Sequence, residues 1–357
     1  MTADTVGGVF THTVDLVRGL RDRDAGVSLV TFGRRMTAEQ RTRLSDAGVA
    51  DLRETALALE WMEDPWSDLQ AAQDLLLEIE RDQRPDVIHL NAFAHGDADW
   101  QAPVLVAGHS CVFSWWAAVH GEAPPPQWDR YRTAVRAGIA AADAVVAPSA
   151  SMLVSLQEWY GPLPPLAVAI ANGSSYEGAC PAMPKQPVVV GAGRLWDEAK
   201  NVRALVRAAR RPGLQGRVLL AGEGAPEAGS PGVESLGALA PMQLAQVRSA
   251  AAVYAAPARY EPFGLGILEA ARDRCALVLG DIPSLREIWG DAAVYVDPGD
   301  DEQLGHTLES LLANPGRAAR LGEQAHRRAA VFTVPLMTNG YARLYDRLIA
   351  VAQRVPA

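Results

Sequence analysis

The sequence predicts two doubly wound, Rossmann-like α/β domains in tandem. Three observations carry this. The chain has 357 residues, and a single hydrophobic core ordinarily stops growing at about 250–300. Short apolar runs alternate with segments of helical period, which implies parallel strands joined by crossover helices. The alternation runs twice, broken once by the proline-rich, non-periodic EGACPAMPKQP at 177–187, a linker signal.

In the first series, Gly7-Gly8 lead into a helix whose apolar residues Phe10, Val14, Val17 and Leu20 share one face, with Gly26 as its stop. The strand before it is either very short or is entered part-way by MTADTVGGV. VSLVTFG is a buried strand, 37–84 reads as mostly helical with a break at Asp64-Pro65, and DVIHLN (86–91) and VLVAGHS (104–110) are strands. A helix over 127–142, the strand AVVAPS (144–149) and the strand LAVAIANG (166–173) complete the series. The second contains the strands VVVGAGRL (188–195), RVLLAGEG (217–224), AAVYAAPA (251–258), ALVLGDI (276–282) and AAVYVDP (292–298). Helices are expected at 200–211, 241–250, 265–273, 301–312, 316–330 and 335–353. The resulting organisation is a first domain at 1–176, the linker, a second domain at 188–334 and a closing helix at 335–357. Ligands of such sheets bind beyond the carboxyl ends of the strands, so a cleft between two facing domains is the default site.

Composition narrows the function. Net charge is −9, which argues against a protein devoted to nucleic acid, since phosphate-backbone binding needs a basic footprint. The same charge weakens, but does not rule out, peripheral contact with an anionic membrane. Cys111, Cys180 and Cys275 lack metal-ligand spacing and form no paired framework, consistent with reduced thiols in the cytoplasm. No apolar run is long enough to span a bilayer, and the start lacks a signal-peptide pattern.

The densest motif is YEPFGLGILEA at 260–270. Pro262 pushes Glu261 toward an extended backbone. Phe263, Gly264, Leu265 and Gly266 then turn into a helix starting near Leu265, whose first N–H groups are unpaired and suit a diphosphate. Glu269 lies one turn inside. Two carboxylates thus flank an anion-seeking helix start, as a sugar and a ribose would require; by chemistry alone they read equally as solvated glutamates beside a glycine turn. The second motif is GAGRLWDEAKN at 191–201. Gly191 and Gly193 let the backbone approach a ligand. Arg194 offers a planar fork and Lys200 a mobile point charge, which together could neutralise a departing diphosphate.

These residues resemble those of the retaining GT-B glycosyltransferases, glycosyltransferase family 4 in particular, with its Glu–seven residues–Glu motif. The resemblance covers nearly the whole chain and is densest from 188 to 298. It implies that Glu261 contacts donor-sugar hydroxyls, that Glu269 contacts the nucleotide ribose, and that the amides of Gly264, Leu265 and Gly266 face the diphosphate. Arg194 and Lys200 match the family's donor-phosphate pair, at a separation of six positions where five is commoner. Gly222-Glu223-Gly224 would lie near the nucleotide and Leu236-Gly237 near its base, though a tight turn and a packing leucine read equally well. Gly7-Gly8 match the loop that faces acceptor and donor phosphate. His109, at a strand end, matches the family's histidine beside the donor sugar. His89, Asn91 and Trp115 could line the acceptor side, with core or capping roles as the alternative; the neighbours Trp116 and His120 belong to the same region. Asn172-Gly173 match the family's turn before the linker. Arg274 and Ala276 stand where the family commonly has Gly and Pro, which alters a turn without removing a donor contact.

The implied function is a retaining, metal-independent sugar transfer from a nucleotide sugar, a UDP- or GDP-sugar by expectation, with no further cofactor. His109, Glu261, Arg194 and Lys200 form the reacting set. The acceptor is a small molecule, a polysaccharide or a lipid-linked hydroxyl compound. Asp97-Ala98-Asp99 and Asp22-Arg23-Asp24 match the three-letter pattern of metal-dependent transferases, but neither follows a strand in the required context. The alternatives are a glycogen- or starch-synthase-like enzyme, a GT-B nucleotide-sugar epimerase, and a non-catalytic nucleotide-sugar-binding protein. The oligomeric state is left open.

Overall fold

The computed structural model describes residues 1–179, 184–224 and 231–354. Two compact units divide the chain, one of Met1–Ala117, Glu122–Gly173 and the segment from Thr333 onward, the other of Ala118–Gly121 and Ser174–Phe332. Part of the stretch read as a linker, 180–183 with Cys180, lies outside the described residues.

The chain begins with β1 (Thr2–Asp4), α1 (Gly8–Arg21), β2 (Ser28–Phe32), α2 (Ala38–Ala47), β3 (Asp51–Glu54), α3 (Trp66–Gln83) and β4 (Ile88–Leu90). It continues with β5 (Val104–Ala107), α4 (Val112–His120), α5 (Asp129–Ala141), β6 (Ala144–Ala147), α6 (Ala150–Tyr160) and β7 (Ala167–Ala169). All ladders are parallel, in the orders β1-β2-β3 and β4-β5-β6-β7. Asn91 joins the two sheets: its backbone N–H donates to Thr2 Oγ1 at 2.9 Å and its side-chain amide to the Thr2 carbonyl at 2.7 Å. β1 therefore has a role despite its three residues.

Two elements here escaped the periodic pattern. The stretch 37–84 is mostly helix, through α2 and α3 with the break before Trp66, but β3 lies between them. Its sequence, DLRE, has one apolar residue, and it occupies a sheet edge, so backbone pairing alone marks it as a strand. The second is α4, nine residues centred on Trp115-Trp116, which has too little polar contrast for a helical stripe to stand out.

The second unit runs β8 (Gln186–Ala192), α7 (Val202–Ala209), β9 (Arg217–Ala221), β10 (Val233–Gly237), α8 (Pro241–Ala250), β11 (Ala251–Ala256) and α9 (Leu265–Arg272). It closes with β12 (Ala276–Gly280), α10 (Pro283–Trp289), β13 (Val294–Val296), α11 (Asp301–Leu312) and α12 (Pro315–Ala329). Its six parallel strands lie in the order β10-β9-β8-β11-β12-β13, which reverses direction between β8 and β11, the ligand-binding position of such sheets. Val188, Val190, Leu277 and Leu279 pack under α9 and α12, and Val189, Val218, Val253 and Val278 under α7 and α11. The edge strand β10 and the short α10 have no counterpart in the periodic pattern; VESLG alternates too briefly, and α10 spans only two turns.

The last helix, α13 (Val334–Ala352), belongs to the first unit. Met337, Tyr341, Leu344 and Leu348 share a buried cluster with Val14, Val17 and Leu20 of α1. No helix among the described residues is long and apolar enough to cross a membrane.

Candidate functional site

The candidate residues gather at the carboxyl ends of strands, in each unit separately. In the second unit, backbone hydrogen bonds stitch the loops after β8, β9 and β10. Gly193 N–H donates to the Ala221 carbonyl at 3.0 Å, Leu195 N–H to that of Glu223 at 3.1 Å, and Gly222 N–H to that of Gly237 at 2.8 Å. Gly222 has φ +143°, and a Cβ there would stand 1.8 Å from the Gly193 carbonyl oxygen; no other residue fits this approach.

Beyond Gly193, the exposed Arg194 is held by Asp197 at 2.9 Å, with its guanidinium 5.7 Å from the ring centre of Trp196. Asp197 also caps the short 3-10 turn Glu198–Lys200 by accepting from Ala199 N–H at 3.0 Å. That turn delivers Lys200 Nζ to 2.6 Å from Glu261 Oε2, in the loop after β11. Three further hydrogen bonds hold these loops together. Arg259 N–H donates to the Ala199 carbonyl at 2.8 Å, and the Asn201 side chain donates to the carbonyls of Pro257 and Pro298 at 2.9 and 2.8 Å. Ser284 Oγ donates to the Glu261 carbonyl at 2.7 Å.

Gly264 is the N-cap of α9, at φ +88° and ψ +69°, with no side-chain cap. A left-handed residue there turns the chain sharply into the helix, a position glycine takes without strain. The next bonded donors, Ile267 and Leu268 N–H, both reach the Gly264 carbonyl, so the amides of Leu265 and Gly266 open the helix and suit an anion. A Cβ on Gly264 would lie 3.3 Å from Glu261 Cγ, so Lys200, Glu261 and the helix start form one group. Phe263 contributes differently: its side chain is buried and packs edge-on against Phe332 at 5.5 Å, which leaves only its backbone for a ligand.

Glu269 is tied to a residue the sequence reading passed over. Arg248, on α8 and 2% exposed, donates to Glu269 Oε2 at 2.7 Å and to Asp273 Oδ2 at 2.9 Å. Burial opposes its charge, but Glu269 and Asp273 outweigh this and hold the guanidinium above its ordinary range. The only sequence signal was a lone arginine on the inner face of a helix otherwise turned toward the sheet.

In the first unit, Gly7 is the N-cap of α1 at φ +79°, and both Gly7 and Gly8 are exposed. His109, just past β5, places Nε2 2.7 Å from Asn91 Oδ1, and the His12 ring meets it edge-on at 4.6 Å. Burial lowers the His109 pKa to about 4, so its imidazole is neutral near pH 7. His12 is also held well below the usual range, by burial first and then by His109 and His89. His89 is a core residue: it is 3% exposed, its Nδ1 lies 2.6 Å from Tyr345 Oη, and its ring stacks on Tyr341. Trp115 is half-buried and meets Trp116 edge-on at 6.2 Å.

Residues 6–174 match the family model described as Glycosyltransferase Family 4, and residues 186–314 that described as Glycosyl transferases group 1. Sucrose-phosphate synthase from Thermosynechococcus elongatus has the same fold, with a TM-score of 0.79 at 21% identity over 98% of this chain and 96% of that one. The Anabaena protein Alr3699/HepE, solved in complex with UDP-glucose, gives 0.73 at 17% identity over 97% of this chain and 100% of that one. Alpha-maltose-1-phosphate synthase of Mycolicibacterium smegmatis is 30% identical over 237 residues, 54% of this chain and 60% of that protein. The match therefore spans less than two thirds of this curated relative.

Two Rossmann-like units with parallel sheets give the GT-B fold expected from the sequence, and the matched domains make the chain a glycosyltransferase. Within that class the chain is of the glycosyltransferase family 4 type, with one glycosyltransferase domain matched in each half.

Proposed function

We propose that this protein transfers a sugar from a nucleoside-diphosphate sugar to a hydroxyl acceptor, keeping the anomeric configuration and using no metal ion. The observation that carries the reading is the Lys200–Glu261 pair, 2.6 Å apart, beside the uncapped start of α9. A carboxylate that accepts sugar hydroxyls and a cation that meets phosphate are what such a donor needs at its two ends.

In this reading the diphosphate lies against the Leu265 and Gly266 amides, with Lys200 and Arg194 supplying positive charge. Gly193, Gly222 and Glu223 border the nucleotide, and Glu269 accepts from the ribose. Glu261 binds the donor sugar; on the first unit, the neutral His109 offers a hydroxyl ligand the ring nitrogen that Asn91 does not use. The acceptor is bound on the first unit, near Gly7-Gly8. Its oxygen attacks the anomeric carbon on the face from which the phosphate leaves. The carbon–phosphate oxygen bond breaks as the new glycosidic bond forms, and the acceptor proton passes to the departing diphosphate oxygen. Lys200 and Arg194 take up the charge that grows on that group, where preorganised cations act most strongly. A uridine donor is favoured by the likeness to a fold solved with UDP-glucose, and GDP is the second choice. The acceptor class remains a small molecule, a polysaccharide or a lipid-linked compound.

The test is a thermal-shift and calorimetric screen against UDP-, GDP-, ADP- and dTDP-sugars, followed by NMR of the product's anomeric proton. At least one donor should stabilise the protein, with the effect lost in Glu269→Ala and Arg194→Ala. Absence of any nucleotide effect, or one that both substitutions leave unchanged, would overturn the donor site. An inverted product, or activity that a chelator abolishes and a divalent metal restores, would overturn the mechanism.

A further inference from the structure

We infer that Arg248 is a positioning residue that orients Glu269 and so sets the preference for a ribose over a deoxyribose in the donor. The inference rests on the proposed nucleotide-sugar site in the second unit. Its basis is the way one buried cation is divided between two acids. Arg248 Nε faces Asp273 and Nη1 faces Glu269, at 2.9 and 2.7 Å. The Asp273 side chain is 0% exposed and the Glu269 side chain 25%. One carboxylate is enough to neutralise a buried guanidinium, and Asp273 provides it. The second lies at the solvent-reaching edge of the network, one helical turn earlier on α9 and toward the helix start.

The guanidinium is gripped from a third direction. Tyr176 lays its ring 5.0 Å from Arg248 Cζ and donates its hydroxyl proton to Asp273 Oδ1 at 2.5 Å. A planar fork bonded on two edges and covered on a face cannot rotate, so its bond to Glu269 fixes the direction of that carboxylate. Glu269 and Asp273 are four residues apart on one helix, a spacing at which like charges repel; Arg248 removes the repulsion that would otherwise turn Glu269 away. A carboxylate with a fixed direction distinguishes two adjacent hydroxyls from one, because a lost donor leaves the acceptor unpaired. Lysine, a single point charge, cannot hold both acids in this way.

The experiment is isothermal calorimetry on the full chain with UDP, GDP and ADP and with the 2′-deoxy form of each. Wild type should bind at least one ribonucleotide about tenfold or more tighter than its deoxy form. In Arg248→Lys that ratio should fall to within about threefold, with phosphate-driven binding kept. Should the lysine variant not fold, Arg248→Met gives the same readout. Arg274→Lys, whose partner Glu323 at 3.1 Å lies outside this network, is the control and keeps the ratio. An unchanged ratio in the folded Arg248 variant, or an equal loss in Arg274→Lys, overturns the inference while the donor reading stands. If wild type binds no nucleotide, the donor reading falls and the inference with it; a ratio left intact by Glu269→Ala overturns the inference alone.

Discussion

Lys200 Nζ lies 2.6 Å from Glu261 Oε2, joining loops that follow two adjacent strands of the six-stranded sheet, β8 and β11. The pair sits where the strand order reverses, so the sheet topology and the site chemistry meet at one bond. It is half-buried, with side chains 25% and 17% exposed; in the proposed reading Lys200 exchanges this anionic partner for a donor phosphate.

Lys200→Ala is expected to lower turnover by about 10²–10³-fold, the usual loss for one preorganised group facing transition-state charge. Stability should change by only about 1 kcal/mol or less, because a partly solvated ion pair contributes little. Steady-state kinetics and thermal unfolding on the same preparation check both. Adding Glu261→Gln to Lys200→Ala should cost less than Glu261→Gln alone, since contacting residues are not additive.

Asn91→Asp should move the titration of His109. Asn91 Oδ1 lies 2.7 Å from His109 Nε2, and burial holds that ring to a pKa of about 4. A carboxylate in place of the amide favours the imidazolium and raises the value. NMR titration of the His109 ring protons measures the shift. Turnover near neutral pH should drop as the ring becomes charged; an unmoved titration would show that the two side chains are not coupled.

The stability of the first unit should depend on pH through two opposed contributions. His12, His89 and His109 all have lowered pKa values, by burial first, so each binds a proton on unfolding below about pH 6.5. Their contribution is present above the unfolded value and is lost as pH falls. Glu60 is the reverse case. It is 5% exposed, accepts from the Phe93 and Ala94 amides, and burial raises its pKa to about 7. Folded Glu60 keeps its proton between about pH 4.5 and 7 while the unfolded chain loses it. Its contribution is fully present below 4.5 and is lost as pH rises through 7. Glu60→Gln removes this opposing term. Urea denaturation across that range should show a steeper acid loss than wild type, by up to one proton, or about 1.4 kcal/mol per pH unit.

Asn201→Ala should destabilise the second unit by about 1–3 kcal/mol, because one buried and one part-buried carbonyl lose their shared donor. Those carbonyls, of Pro257 and Pro298, lie past the ends of β11 and β13. Donor affinity should weaken as well, since the same side chain anchors the turn that carries Lys200. Chemical denaturation and nucleotide titration separate the two effects; a loss of stability with undiminished affinity would confine Asn201 to a folding role.

Much of this was legible in the chain. Apolar runs such as VVVGAGRL and ALVLGDI announce buried parallel strands, because both faces of such a sheet are covered. Glu261, Gly264 and Glu269 lie within nine consecutive residues, and a strand–turn–helix geometry is local enough to be read directly. Two edge strands escaped: DLRE and VESLG bury little, and only pairing with a neighbour makes them strands. Glu60, Asn201 and Arg248 escaped for a related reason. Each is an ordinary polar residue in sequence, given its role by a partner at least 21 positions away.

The sequence by itself thus determined the class of fold, the tandem arrangement and the acid–glycine–acid segment, because short-range backbone geometry and hydrophobic period are encoded over a few turns. Tertiary structure alone decided that Lys200 meets Glu261 across 61 positions, that Arg248 holds Glu269, and that His89 belongs to the core while His109 stands on Asn91. Side-chain direction and solvation are set by what packs alongside, and packing brings together residues whose separation in the chain carries no signal.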